Sequence, residues 1–194
     1  MAATRDDIIS LADMFLRTRG YNAFSYRDIG GIMDIRNAAI HYYFPSKADL
    51  AIAVIGKELD AIKVQRVEWG WLSPEEQLAR IIGTFFRLRQ KGKICLTGSL
   101  TPDYDTFPRS LQDKVQDMCS LILDWMGECL DNGRQTGHFH FSGEPADKAL
   151  LVMSCLLSSL LLSRVLGKEV FDRMIDQQLM DLGCKIRMAH ISNL

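Results

Sequence analysis

Apolar residues recur along this chain at spacings of three and four, the repeat of one face of an α-helix. Residues 4–19 place Ile8, Leu11, Ala12, Phe15 and Leu16 on one side, and Gly20 follows as a C-cap. A second helix opens at Ser25, whose hydroxyl is a good cap, and turns Ile29, Ile32 and Met33 inward. The pattern breaks at Asp34 and Ile35, where a turn leads into a third helix over 36–43 with Ala38, Ala39 and Ile40 as a slim inner side. Pro45 stops it, because the residue before a proline is pushed out of the helical region. Ser46 and Asp49 then form a capping box for a fourth helix over 47–68, where Ile52, Ile55, Leu59 and Ile62 keep the period.

Trp69, Gly70 and Trp71 interrupt that period. Ser73, Pro74 and Glu76 start a fifth helix carrying Leu78, Ile81, Ile82, Phe85, Phe86 and Leu88, ended by Gly92. A short helix near 95–101 and a turn precede Pro108, which begins a long helix through Leu111, Val115, Met118, Ile122, Trp125, Cys129 and Leu130 that Gly133 closes. His138, Phe139, His140 and Phe141 alternate in a loop over 135–143. Pro145 opens a helix that is apolar nearly all round from 150 to 162 and must be buried on several sides. Gly167 ends it, and a last helix covers 168–190. The pattern predicts an all-α chain of about nine helices: an N-terminal three-helix bundle over 1–50 and a larger helical domain over 51–194, joined by the fourth helix as a lever.

Two helices meeting across a short turn, the second exposing Arg36, Asn37, His41, Tyr42 and Tyr43, make a helix-turn-helix. The run YFPSKADL over 43–50, preceded by S-x-R-D-I over 25–29, resembles the DNA-binding half of TetR-family transcriptional repressors. The likeness covers the first fifty residues. It includes the isoleucine at Ile29, hydrophobic residues at Ile35 and Ile40, the aromatics Tyr43 and Phe44, and the lysine at Lys47. Two departures stand out. The family's turn glycine is Asp34 here, a residue that tolerates a left-handed backbone better than most. Its Lys-Gly pair at the start of the recognition helix is Asn37-Ala38, with Arg36 the nearest cation.

Composition adds little to this picture. The chain has 194 residues, 47% hydrophobic and 24% charged, with a net charge of −1, which is ordinary for a soluble globular protein. Residues 1–50 hold six basic and six acidic side chains, so charge alone does not announce nucleic acid. Five cysteines, at 95, 119, 129, 155 and 184, show no C-x-x-C spacing and suggest buried, reduced thiols in a cytoplasmic protein. The apolar run over 150–162 is too short for a membrane span and is flanked by Lys148 and Arg164. No glycine-rich phosphate loop, nucleophile elbow or histidine-carboxylate metal motif is visible, so no enzyme, cofactor or metal is expected.

The expected function is therefore a ligand-responsive regulator, a repressor, that binds a palindromic operator in double-stranded DNA as a homodimer. Arg36 is placed for guanine O6 and N7, and Tyr42 and Tyr43 for phosphates or a thymine methyl. Lys47 and the group Ser25, Tyr26 and Arg27 stand at helix N-termini suited to phosphate. His41 is in register with a phosphate contact of the family. The last two helices carry more apolar surface than one small domain covers, which predicts dimerisation through a four-helix interface. The resemblance implies the same arrangement, and a pocket for a small inducer in the C-terminal domain. Candidate lining residues are Trp69, Phe85, Phe86, Leu100, Tyr104, Met118, Ile122 and Trp125, favouring a hydrophobic effector. Cys95, near Lys91 and Lys93, is a candidate electrophile or redox sensor, since basic neighbours lower a thiol pKa. A helical ligand-binding protein that no longer binds DNA is the other alternative, left open by Asn37-Ala38.

Overall fold

The computed structural model describes residues 4–192, and among them the chain is helical with no strand. Ten α-helices follow in order: α1 (Arg5–Arg19), α2 (Tyr26–Met33), α3 (Asn37–Tyr43), α4 (Lys47–Trp69), α5 (Pro74–Gln90), α6 (Leu96–Leu100), α7 (Arg109–Gln135), α8 (Pro145–Leu166), α9 (Glu169–Asp181) and α10 (Met188–Ile191), with a 3-10 turn at Thr101–Thr106 between α6 and α7. Several starts are set by side chains that satisfy orphan backbone N–H groups. The Ser46 and Ser73 hydroxyls accept from the N–H groups of Asp49 and Glu76 at 3.1 and 3.3 Å. The Asp49 and Glu76 carboxylates reach back to the Ser46 and Ser73 N–H groups at 2.9 and 3.0 Å. Thr4 and Asp7 make the same box at the head of α1.

The expected last helix is two. α9 stops at Asp181, Gly183 takes a left-handed φ of 66°, and α10 resumes at Met188. The Leu182 carbonyl at this break accepts the His140 N–H at 2.8 Å, so the loop after α7 docks where the helix ends. α7 likewise runs past Gly133 to Gln135. Gly133 lies inside the helix because Phe139 folds back on it: a Cβ there would stand 2.0 Å from Phe139 Cδ2. Phe139 is buried, so Gly133→Ala should lower stability by about 1–3 kcal/mol through overpacking. A urea midpoint equal to wild type would show that the ring simply moves aside.

The chain divides into two compact units, one of residues up to 62 with 95–119, the other of 63–94 with residues from 120 onward. The core of the first holds Ile8, Phe15 and Leu16 of α1, Ile29 of α2, Ile40 of α3, Leu50 and Ile55 of α4, and Leu96 and Leu100 of α6. Arg17 is buried among them, its Nε on Asp13 Oδ1 at 2.6 Å and its Nη2 on Glu58 Oε2 at 2.7 Å. Burial opposes its charge, and the two carboxylates outweigh that cost, so its pKa is raised. This network pins α1 to α4.

The core of the second unit holds Leu78, Ile82 and Phe85 of α5, Met126 and Leu130 of α7, Leu156 and Leu160 of α8, and Phe171 and Ile175 of α9. The Arg89 guanidinium lies 4.6 Å from the Phe86 ring and 5.0 Å from the Phe171 ring, and pairs with Asp172 at 3.0 Å. α8 buries Val152, Leu156 and Leu160 on one side and exposes Leu151, Leu161, Leu162 and Val165 on the other. With 22 residues and a mean hydropathy of 2.1, it is the one described helix long and apolar enough to cross a membrane. Lys148 and Arg164 lie within it, and its buried face packs on protein.

Candidate nucleic-acid interface

The site is built from α2, the turn after it, and α3. α2 ends at Met33, and Asp34 adopts φ 53°, ψ 47°, the only positive φ among the described non-glycine residues. The Ile35 N–H donates to the Gly30 carbonyl at 3.1 Å, closing a Schellman-type end. Gly30 is needed there because a Cβ would stand 2.8 Å from the Ile35 carbonyl oxygen and 3.1 Å from Asn37 Oδ1. Arg36 is the residue before α3, not inside it, and α3 begins at Asn37.

Only Ile40 of α3 is buried. Ala38 and Ala39, expected on an inner side, are exposed, because a seven-residue helix anchored by one side chain presents most of its surface outward. Ile32, expected inward, is 60% exposed, since α2 seats on Tyr26, Ile29 and Gly30 instead. The outward surface thus holds Arg36, Asn37, His41, Tyr42 and Tyr43, with Tyr42 83% exposed and packed edge-on against Tyr43 at 5.3 Å. His41 is held by Nδ1, which donates to the Pro45 carbonyl at 3.2 Å, and by the Tyr26 ring at 4.7 Å. Ser25 and Arg27 are exposed at the start of α2, where Asp28 accepts from the Ser25 N–H and hydroxyl at 2.7 and 2.6 Å.

Two predicted contact residues are engaged inside the protein. Tyr26 is buried, its hydroxyl donates to the Phe44 carbonyl at 2.9 Å, and burial raises its pKa to about 12. Lys47 is half-buried with its Nζ donating to the Phe24 carbonyl, and burial lowers its pKa. Sequence reasoning missed Gly30, whose signal was a glycine about one turn into a short helix just before the break.

The candidate effector residues are spread over both units. In the first, Cys95, Leu100 and Met118 are buried and Tyr104 is half-buried; in the second, Phe85, Phe86 and Trp125 are buried and Trp69 and Ile122 are half-buried. The structure brings Trp69 against Trp125 at 5.5 Å, and Trp125 also lines a cleft of about 310 Å³ with Arg66, Gly70, Gln77, Glu128, Cys129 and Asn132. All five cysteines are free. Burial pushes the Cys95 thiol up to about 11, opposite to the lowering expected from Lys91 and Lys93. Its sulfur accepts the Gly98 N–H at 3.4 Å as the cap of α6, a contact that favours the thiolate but is outweighed by burial, so little thiolate exists at neutral pH.

Residues 8–54 match the family model described as bacterial regulatory proteins, tetR family. The transcriptional repressor KstR of Mycobacterium tuberculosis is 27% identical over 119 residues, 60% of this chain and 54% of that repressor's length. The chain's match thus spans about half of that relative. A TetR-family transcriptional regulator from Agrobacterium tumefaciens superposes with a TM-score of 0.85 at 27% identity, over 91% of this chain and 96% of that one. A TetR transcriptional regulator from Legionella pneumophila gives 0.81 at 26% identity, over 94% and 97%. The helix-turn-helix segment of this chain thus matches the tetR family of bacterial regulatory proteins, and its all-helical fold is similar to that of TetR-family transcriptional regulators.

Proposed function

We propose that this protein is a transcriptional repressor that binds a near-palindromic operator as a homodimer and releases it when a small molecule occupies the larger helical part of the chain. The observation that carries the reading is the outward face of α3, where Arg36, Asn37, Tyr42 and Tyr43 are exposed behind a turn fixed by Asp34 and Gly30. A helix so exposed has the shape the major groove admits. Ser25 and Arg27 flank it as phosphate contacts.

A dimer supplies the second recognition helix, and the exposed leucines and Val165 of α8 offer the surface for it. Release by an effector requires that it prefer the non-binding conformation. The reading places the effector in the cleft beside Trp125, an indole wall among amide and charged groups.

A gel shift on the DNA immediately upstream of the chain's own gene tests the reading. Retardation of that duplex but not of a scrambled one supports it, and equal affinity for both removes sequence reading. In this assay Arg36→Ala should cost about 1–3 kcal/mol on the specific duplex and leave scrambled DNA less affected, as expected for a lost bidentate guanine contact. Equal loss on both would place Arg36 on the phosphate backbone.

A further inference from the structure

The loop between α1 and α2, residues 20–24, is gripped from two sides by groups that lie outside the helix-turn-helix proper. On one side stands Lys47. Its ammonium donates to the Phe24 carbonyl and sits 4.6 Å from the Tyr21 ring and 4.3 Å from the Phe24 ring. An ammonium has three N–H donors and no acceptor, and here one is used by a carbonyl while its charge faces two aromatic rings. Turning it toward a phosphate would orphan that carbonyl and vacate both rings.

On the other side stands the 3-10 turn after α6. Asp103 Oδ2 accepts the Asn22 N–H at 3.1 Å. The Thr106 hydroxyl closes the turn on the Asp103 carbonyl at 2.6 Å and also receives the Asn22 side-chain amide at 3.5 Å. The Tyr21 ring packs edge-on to buried Phe107 at 4.7 Å. Asp103 also favours the charged form of Lys47, against the desolvation that lowers its pKa. Directly after the gripped loop, α2 starts at Tyr26, whose hydroxyl holds the carbonyl of Phe44 at the end of α3.

We propose that Lys47 and Asp103 are positioning residues for DNA recognition: they clasp the 20–24 loop, set where α2 and therefore α3 begin, and touch no DNA themselves. This rests on the DNA-binding reading above and departs from the phosphate contact expected of Lys47 at its helix N-terminus.

The test compares wild type with Lys47→Met, Asp103→Ala, Asp103→Asn and Arg27→Ala. Affinity for the upstream duplex is followed between about 50 and 200 mM salt, alongside amide hydrogen exchange of residues 20–26 without DNA. Lys47→Met and Asp103→Ala should each weaken binding about tenfold and speed exchange in the loop, with the wild-type salt slope retained. Arg27→Ala should instead flatten the slope by about 0.9. Asp103→Asn keeps an acceptor for the Asn22 N–H and should restore most of the protection.

Removing a carboxylate near a polyanion raises affinity by charge alone, so a fall with Asp103→Ala reads geometry. A slope reduced by Lys47→Met would put its ammonium on a phosphate and overturn the assignment. Wild-type affinity and exchange in Asp103→Ala would dismiss the clasp. If the wild type ignores every duplex although the exchange changes appear, the DNA-binding reading fails, and the clasp's service to DNA fails with it.

Discussion

Gly30→Ala should destabilise the protein and cost it operator binding, while Gly31→Ala, one residue on, should stabilise it. The two substitutions have the same helix propensity term, a gain of roughly 0.8–1.0 kcal/mol for alanine over glycine in a helix interior. What differs is the space. At Gly31 nothing lies within 4 Å of a new Cβ and the position is exposed, so the propensity gain stands. At Gly30 the Cβ would come within 2.8 Å of the Ile35 backbone carbonyl, which cannot rotate away as a side-chain tip can.

Overpacking of this kind costs about 1–3 kcal/mol, enough to reverse the gain. The strain is relieved only by moving Ile35 and Asn37, the residues that deliver the chain into α3. Operator affinity should therefore fall further than stability does. Thermal unfolding and gel shifts on the matched pair check both statements. A Gly30→Ala protein as stable as the Gly31→Ala one would show that the turn has slack.

The contrast between these glycines marks what the sequence discloses. Starts of helices were legible because a cap needs its partner three residues away: Ser46 with Asp49 and Ser73 with Glu76 both form as the local sequence dictates. The left-handed residue at Asp34 was legible from the resemblance, which puts the family's turn glycine at that position, while the break in period marked only a turn at Asp34 and Ile35. The buried sides of short helices were not. Periodicity says which residues share a face, yet in α2 and α3 it did not say that Ile32, Ala38 and Ala39 would face out.

Long-range partners were hidden as well. Nothing near Lys47 in the sequence announces that the Phe24 carbonyl, 23 residues away, would take its ammonium. Nothing near Gly183 announces the His140 docking that accompanies the split of the last helix. For Cys95, basic neighbours in sequence suggested a reactive thiol, and burial decided otherwise.

The second large effect is expected at the outward face of α8. If the chain pairs through this face as proposed, Leu162→Glu with Val165→Glu should convert the proposed dimer of 22.0 kDa chains into a monomer and remove operator binding. Leu162 and Val165 are 42% and 82% exposed, so neither substitution disturbs the core of the isolated chain, which should keep its wild-type helix content by circular dichroism while its unfolding midpoint falls by the stability the partner supplied. In a two-fold interface each substitution appears twice. Four carboxylates would then be buried without partners, each costing several kcal/mol after relaxation.

DNA binding follows, because a single recognition helix reads only a few base pairs and specificity needs two half-sites held at one spacing. Ser154 and Ser158 lie exposed between Leu151 and Leu161, and their small side chains allow a second α8 to approach closely. Light scattering reads the mass, and gel shifts read the function. A doubly substituted protein that still scatters as a dimer places the interface elsewhere. A monomer that retains wild-type operator affinity would separate recognition from pairing and leave the apolar face of α8 to some other partner.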